Sequence, residues 1–324
     1  MRVVVCGAGA VGGSIGGLLW ASGVDTVLVA RGEHGLALQR EGLRLLRPGS
    51  TQTLAVPTVQ RVDELNWAED DLVVMATKVQ DAPALLDDLA AVAPAGASMV
   101  CAQNGLAGEP MAARRGFATL GMMVWLPATH LVPGEVRLHS FPSAGILDVG
   151  AWPAGDSSVA TQFAAMLRAA GFDAQARPDI VAWKRRKLVS NAVGILHALV
   201  NGPFDGLARA LADEAAAAFS ASGADVVSDE TFTARVAGLE QLEIDGLRRE
   251  GGSAWQALVR GRSSEAHYLC CEITLLGALH DVDTPVARAV QKAAARLDRA
   301  GCGARALSAA AIWELVGRGT PPTP

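Results

Sequence analysis

The chain begins MRVVVCGAGAVGGSIGGLLW (residues 1–20), and this stretch decides the fold of the segment that follows. The β-branched run Val3–Val5 predicts a buried strand, and the apolar run Ile15–Trp20 predicts a helix. Between them stand Gly7, Gly9 and Gly12, spaced G-x-G-x-x-G. In this context the first glycine permits a sharp turn, the second lets backbone approach a pyrophosphate, and the third lets the helix pack closely on its strand.

The free N–H groups that open such a helix face the phosphates of a bound dinucleotide. The sequence therefore predicts a dinucleotide site in the glycine-rich loop, made of Gly7, Ala8, Gly9, Ala10, Val11 and Gly12. A chain with 35 glycines also produces this spacing by chance. The alternative interpretation is a strand-to-helix turn that holds no ligand.

The composition is that of a globular protein with a large buried fraction. A chain of 324 residues, 50% hydrophobic and 19% charged, is long enough for two domains. The net charge of −5 and the lack of a long basic run argue against nucleic acid as a partner. No secretory signal opens the chain, and no apolar run approaches the ~20 residues of a membrane span. Five cysteines without a ligand pattern suggest reduced thiols, no metal site and a cytoplasmic protein.

Strand-like and helical runs alternate from residue 1 to about 150, which is typical of parallel strands with crossover helices. The predicted strands are 3–6, 26–30, 72–76 and 98–102, the predicted helices are 11–22, 33–41 and 81–91, and a hairpin is expected around Pro48-Gly49. Later strands at 120–125, 136–139 and 145–149 are expected to extend the sheet. Past Ile180 the pattern becomes helical, with predicted helices at 181–200, 206–226, 233–249, 253–261, 264–280, 285–299 and 305–316.

These patterns predict an α/β Rossmann-type dinucleotide-binding domain over 1–180 and an all-α domain over 181–317. The Pro-rich tail, 318–324, is expected to be disordered.

The end of the second predicted strand indicates which dinucleotide binds. An acidic residue there accepts hydrogen bonds from the ribose 2′-hydroxyl, whereas an arginine pairs with a 2′-phosphate. Here the strand Thr26–Ala30 is followed by Arg31, which predicts NADP(H), with a solvated loop arginine as the alternative. Lys78 and Asn104 follow two further strands, and ligands bind at the carboxyl ends of strands in such sheets. An ordinary surface lysine and an Asn-Gly turn are the corresponding alternatives.

Together these residues resemble the ketopantoate reductase (2-dehydropantoate 2-reductase) family over nearly the whole chain. The matching segments are GAGAVGG, VARG, ATKVQ, QNG, KLVSN, GSAWQALVRGRSSE and DTP. The resemblance implies a Rossmann domain and a helical domain, NADPH as cofactor, and reduction of a 2-oxo acid to a 2-hydroxy acid in pantothenate biosynthesis. It implies a small-molecule substrate and neither nucleic acid nor a membrane as partner, and it leaves a homodimer open.

The resemblance also assigns the catalytic residues. Lys187, in KLVSN, would be the general acid, because a cationic donor stabilises the charge that hydride transfer leaves on the ketone oxygen. Glu265 would bind substrate and help to place that lysine, and Asn104, Asn191 and Ser253 would also contact substrate. Each has a simpler interpretation: Lys187 lies in a charge run, Ser253 fits a capping box, and Glu265 suits a first helical turn.

Three positions depart from the family pattern. Ile195 stands where a second asparagine is usual, Asp205 replaces a later asparagine, and Ala257 replaces an aspartate. These changes leave open which 2-oxo acid is the substrate. They also leave a second hypothesis open, a catalytically inactive NADP(H)-sensing protein of the same fold.

Overall fold

The computed structural model describes residues 1–301 and 303–317. The tail at 318–324, predicted to be disordered, lies outside the described residues. The chain forms two compact units. Unit 1 comprises Met1–Gln103, Ala107–Lys184 and Asp229–Arg249; unit 2 comprises Asn104–Leu106, Arg185–Ser228 and the described residues from Glu250 onward. The chain therefore passes between the two units several times, since 104–106 belong to unit 2 and 229–249 belong to unit 1. The domains predicted at 1–180 and 181–317 are each one continuous segment.

The strands, in chain order, are β1 (Val3–Cys6), β2 (Thr26–Val29), β3 (Leu43–Arg47), β4 (Ser50–Leu54), β5 (Thr58–Val59), β6 (Leu72–Met75), β7 (Ser98–Cys101), β8 (Ala118–Trp125), β9 (Ala128–Thr129), β10 (Glu135–Leu138), β11 (Ser140–Phe141), β12 (Ile146–Ala151) and β13 (Glu240–Gln241). The helices are α1 (Ala10–Ala21), α2 (Gly32–Glu41), α3 (Ala82–Val92), α4 (Gly108–Ala113), α5 (Ser158–Ala169), α6 (Ile180–Leu199), α7 (Asp205–Ala221), α8 (Asp229–Val236), α9 (Ser253–Val259), α10 (Ala266–Leu279), α11 (Pro285–Ala300) and α12 (Ala309–Val316).

The main sheet of unit 1 has the strand order β12-β8-β7-β6-β1-β2-β5. Adjacent strands in this sheet are parallel, except that β12 runs antiparallel to β8. Two apolar clusters cover its two faces, so β1 and β6 are buried throughout. Burial on both faces is why these strands read as continuous apolar runs rather than alternating ones. The predicted Rossmann-type architecture is confirmed.

One predicted strand belongs to a different sheet. The run at 136–139 is expected from its pattern to extend the main sheet, and that expectation is wrong, because β10 lies in a second sheet with the order β4-β3-β10-β9. β10 pairs in parallel with β3 and antiparallel with β9. A Cβ added at Gly13 of α1 would lie 2.9 Å from Val136, so this small sheet packs closely on α1.

The segment 233–249, predicted to be one helix, is mostly not helical. The helix α8 ends at Val236, and β13 then pairs antiparallel with β11 in unit 1. Gly238 and the turn at Asp245-Gly246, where both residues have positive φ, are unsuited to a continuous helix. The Arg235 guanidinium fastens this segment to unit 1, since it donates to Asp148 and Asp173 at 2.6–3.0 Å.

Unit 2 is helical, as predicted, with a core drawn from α6, α7, α9, α10, α11 and α12. The start of α11 is held by a side chain from another helix: Glu214 accepts hydrogen bonds from the N–H groups of Val286 at 2.7 Å and Ala287 at 2.8 Å. A carboxylate suits a helix N-terminus because the exposed N–H groups carry partial positive charge.

Candidate functional site

The glycine-rich loop joins β1 to α1, as the sequence predicts. Gly7 has φ +97°, which disfavours other residues, and a Cβ there would lie 2.8 Å from the Thr77 nitrogen. A Cβ at Gly12 would overlap the carbonyl oxygen of Gly7 and lie 3.0 Å from the Ala76 Cβ. Turn geometry and helix-to-strand packing therefore explain these two glycines without any ligand.

Gly9 needs a different explanation. It is the N-cap of α1 with φ −68°, a conformation open to any residue, and the nearest atom to an added Cβ is His130 Cδ2 at 3.9 Å. No side chain caps the helix at this end. Packing and backbone geometry would both allow a larger residue at this position. The loop fits a pyrophosphate, because a glycine at this point lets a ligand approach the backbone closely; the preference of an N-cap for glycine over alanine acts in the same direction.

A histidine that the sequence alone does not single out fixes the shape of this loop. The His34 Nδ1 accepts a hydrogen bond from the Gly134 N–H at 2.9 Å, so we assign the ring proton to Nε2, which donates to the Ala8 carbonyl at 2.8 Å. The His34 ring also lies 4.1 Å from the His130 ring. No local pattern reveals this contact, since Ala8, His34 and Gly134 are far apart in sequence.

The two predicted cations lie where the sequence places them, after strands of the main sheet. Arg31 follows β2, is exposed, and is the N-cap residue of α2. Lys78 follows β6, is half-buried, and precedes a short 3₁₀ turn at Val79–Asp81. Both belong to unit 1, as do Gly7–Gly12. β2 and β6 flank β1 in the sheet, and positions after the carboxyl ends of such parallel strands suit contacts with a nucleotide.

Two asparagines predicted as site residues make direct contact. Asn104 follows β7 and accepts a hydrogen bond at Oδ1 from Asn191 Nδ2, at 3.1 Å. Both residues are half-buried and belong to unit 2. Asn191 lies on α6, four residues after the half-buried Lys187. Residues four apart on a helix share a face, so α6 presents Lys187 and Asn191 on one side.

Glu265 is a buried carboxylate held in an uncommon backbone conformation. It is only 3% exposed, and it is the N-cap residue of α10 with φ +65°. Left-handed geometry in a residue other than glycine costs about 1–3 kcal/mol and is concentrated at functional sites. The preceding Ser264 is fully buried, and its Oγ has no hydrogen-bond partner among the described residues. The simpler interpretation, a residue inside the first helical turn, is wrong, since Glu265 stands before that turn.

The capping interpretation of Ser253 is also wrong. α9 begins at Ser253 itself, its N-cap is Gly252, and no side chain caps it. The Ser253 hydroxyl is therefore not used as a cap, and the side chain is half-buried. Ser253, Glu265, Lys187 and Asn191 all belong to unit 2.

The departures from the family pattern lie in different surroundings. Ile195 and Ala257 are buried, and Ile195 lies within the hydrophobic core of unit 2. Asp205 is exposed at the start of α7. A fully buried core position is a different environment from a wall of a binding site, although Ile195 continues the four-residue steps of Lys187 and Asn191.

The described part of the chain contains no cluster of three or more His, Cys, Asp or Glu side chains that could hold a metal. None of its helices is long and apolar enough to cross a membrane.

Comparison with known proteins identifies the family. Residues 3–154 match the family model Ketopantoate reductase PanE/ApbA, and residues 179–297 match Ketopantoate reductase PanE/ApbA C terminal. A 2-dehydropantoate 2-reductase of Mesorhizobium japonicum is 29% identical over 92% of this chain and 98% of its own. That of Pyrococcus horikoshii is 25% identical over 62% of this chain, and the match spans only 66% of the relative's length.

A solved structure shares the fold across nearly the whole chain. The D-mandelate dehydrogenase solved with NADH and anilino(oxo)acetate superposes with a TM-score of 0.78, at 20% identity, over 93% of this chain and 99% of its own. At this identity the likeness shows the fold alone. The two family models together cover both the glycine-rich loop and the helical segment that carries Lys187 and Glu265, and the chain therefore belongs to the ketopantoate reductase family.

Proposed function

We propose that this protein is an NADPH-dependent reductase that converts a 2-oxo acid, ketopantoate or a relative, into the 2-hydroxy acid. The observation that carries the proposal is Gly9. Its open surroundings leave room for a pyrophosphate to approach the backbone, as the family's cofactor requires. Membership of the ketopantoate reductase family and the names of the curated relatives, 2-dehydropantoate 2-reductases, support the reaction.

NADPH is the proposed cofactor because of the charge beside its expected site. Arg31, at the end of β2, would pair with the 2′-phosphate, and Lys78 adds a second cation at the carboxyl edge of the sheet. The N–H groups that open α1 would receive the pyrophosphate at the glycine-rich loop.

The reaction needs a proton donor and a means of stabilising charge on oxygen. When bound, the cofactor supplies hydride to the ketone carbon. Lys187 would then donate its ammonium proton to the oxygen, which stabilises the developing negative charge and completes the alcohol. Asn104 would contact the cofactor. Asn104 and Asn191, held together by their hydrogen bond, would also orient the substrate. Glu265 would accept a hydrogen bond from substrate and help to place Lys187, and Ser253 would contact the carboxylate.

The proposal specifies the class of substrate, 2-oxo acids, and two candidates within that class are compared. The sequence departure at Ile195 favours a 2-oxo acid with an apolar tail over ketopantoate, whereas the burial of Ile195 in the core of unit 2 argues against a direct contact with the substrate. The burial of Ile195 limits how this is tested, since Ile195→Asn would place an amide in the core of unit 2 and destabilise it. A substrate comparison on the unaltered protein is the cleaner test.

The decisive experiment follows NADPH oxidation with ketopantoate, phenylglyoxylate and aliphatic 2-oxo acids, on the unaltered protein and on Lys187→Ala. We expect turnover of at least one 2-oxo acid, and a kcat lowered about 10²–10⁴-fold in the variant with NADPH affinity unchanged. Near-normal turnover by Lys187→Ala would remove Lys187 as the acid. Tight NADPH binding without turnover of any 2-oxo acid would instead support the cofactor-sensing protein.

We further propose a division of labour that follows the predicted domains. The segment 1–180 binds the nucleotide, and the segment 181–317 supplies the proton donor and the substrate contacts. The partner is a small molecule and not nucleic acid. Light scattering in solution will show whether the chain forms a homodimer.

A further inference from the structure

We propose that Lys184, Glu109 and Gln103 form a buried positioning cluster, which fixes the carboxyl ends of β6 and β7 from which Lys78 and Asn104 follow. The inference rests on the proposed function in one respect, that Lys78 and Asn104 contact the cofactor. The cluster itself is contained in unit 1.

Lys184 is the centre of the cluster. Its ammonium forms an ion pair with the Glu109 carboxylate, and its Nζ donates to the Gln103 carbonyl at 3.0 Å. The side chains of Lys184 and Glu109 are only 3% and 2% exposed. Because Asn104 follows Gln103 directly, the bond from Lys184 restrains the peptide that carries Asn104.

Gln103 extends the restraint to the neighbouring strand. Its side-chain Nε2 donates to the Thr77 carbonyl at 3.0 Å, and Thr77 directly precedes Lys78. One continuous set of polar contacts therefore runs from Lys184 through Gln103 to Thr77. It joins the ends of two parallel strands at the edge where ligands bind in such sheets.

Two glycines make the space that this cluster occupies. A Cβ at Gly108 would overlap the Gln103 Oε1, and a Cβ at Gly121 would lie 3.1 Å from the Glu109 Oε1 and 3.3 Å from the Lys184 Cδ. Neither glycine has a positive φ, so neither is required by backbone conformation. The backbone around the cluster is shaped to admit polar side chains into the interior.

Stability alone does not explain a buried ion pair. Replacing such a pair by apolar residues of similar volume is often neutral or stabilising, because desolvation offsets the Coulomb attraction. An apolar pair could fill this volume, but it could not hold the Gln103 carbonyl. The burial and pairing of Lys184 also make it a poor proton donor to substrate. Lys184 is thus a positioning residue.

The test replaces the pair as a unit and compares it with a second ion pair of the same unit. Lys184→Met with Glu109→Leu avoids leaving one buried charge unpaired. The control is Arg2→Met with Asp71→Leu. Arg2 Nη2 lies 2.6 Å from the buried Asp71 carboxylate, at the amino ends of β1 and β6 and away from the edge that the cluster fixes. Gln103→Leu is the third variant, and it keeps the ion pair while removing the bond to Thr77.

Two measurements decide the outcome. By calorimetry, we expect NADPH affinity to fall about tenfold or more in the Lys184/Glu109 and Gln103 variants and to stay within twofold in the Arg2/Asp71 control. Amide hydrogen exchange of the ligand-free proteins should quicken at residues 77–78 and 104–105 in the first two variants only. If the Lys184/Glu109 variant does not fold, the NADPH affinity and the amide exchange of Gln103→Leu test the positioning role on their own.

Unchanged exchange at these amides, with affinity equal to that of the control, would overturn the positioning role. Failure of the unaltered protein to bind NADPH would refute the proposed function instead. In that case the exchange measurement still decides whether the cluster fixes the two strand ends.

Discussion

The variant Gly9→Ala distinguishes two interpretations of the glycine-rich loop, a cofactor-binding loop and a turn that holds no ligand. An alanine Cβ at this position would meet no atom closer than His130 Cδ2 at 3.9 Å, and φ −68° suits alanine. Glycine to alanine at a compatible position stabilises by ~0.4–1 kcal/mol through the unfolded state. The preference of an N-cap for glycine over alanine opposes this gain. We expect the free energy of unfolding to change by less than about 1 kcal/mol.

Cofactor affinity should change much more. The added methyl would occupy the space in which a pyrophosphate approaches the backbone, so one charge-assisted hydrogen bond would be lost, worth ~1.5–3 kcal/mol. Since ~1.4 kcal/mol is a factor of ten in Kd, NADPH binding should weaken roughly ten- to hundredfold. Calorimetric titration gives the Kd, and thermal unfolding without cofactor gives the stability.

Gly12→Ala is the matched control for this prediction. A Cβ at Gly12 would overlap the Gly7 carbonyl, so the variant should lose about 1–3 kcal/mol of stability even without ligand. Gly9→Ala binding NADPH as tightly as the unaltered protein would refute the assignment of the loop as a pyrophosphate site.

Three other perturbations test particular contacts. In Arg31→Ala, the affinities for NADPH and NADH measured by calorimetry should lie within about threefold of each other, because a charged hydrogen bond to the 2′-phosphate is worth ~1.5–3 kcal/mol. An undiminished preference for NADPH would exclude Arg31 as the phosphate partner. Burial lowers the pKa of His139 below 6.5, so the unfolded chain takes up its proton first and the free energy of unfolding should fall as pH drops from about 6.5 towards the lower native pKa. In His139→Asn, the free energy of unfolding should depend less on pH over this range. Urea titrations at several pH values measure this, and an unchanged dependence on pH would contradict the prediction. Arg235→Ala should lower the free energy of unfolding by about 3 kcal/mol in chemical denaturation, because the buried Asp148 loses its main partner. The control Arg61→Ala removes an exposed pair and should lower it by less than about 1 kcal/mol. Equal losses in the two variants would mean that the burial of Asp148 is unimportant.

The elements that depend on local patterns can be predicted from the sequence alone. The apolar run Val3–Cys6 and the glycine spacing after it predict the first strand, the turn and the helix correctly. The helices of unit 2 also follow from their periodicity. These features are local because a strand repeats every two residues and a helix every 3.6, so a short window of sequence contains the signal.

Strand pairing and the burial of charged groups depend on contacts between distant parts of the chain. The run at 135–138 has the alternation of a strand in either sheet, and its pairing with β3 depends on residues some 90 positions away. The segment 229–249 returns to unit 1 because Arg235 meets Asp148 and Asp173, partners that no local window contains. In the charge run at 184–187, Lys184 and Lys187 look alike in the sequence. The fold buries Lys184 against Glu109 and leaves Lys187 half-buried, because desolvation and pairing depend on the surrounding chain rather than on spacing along it.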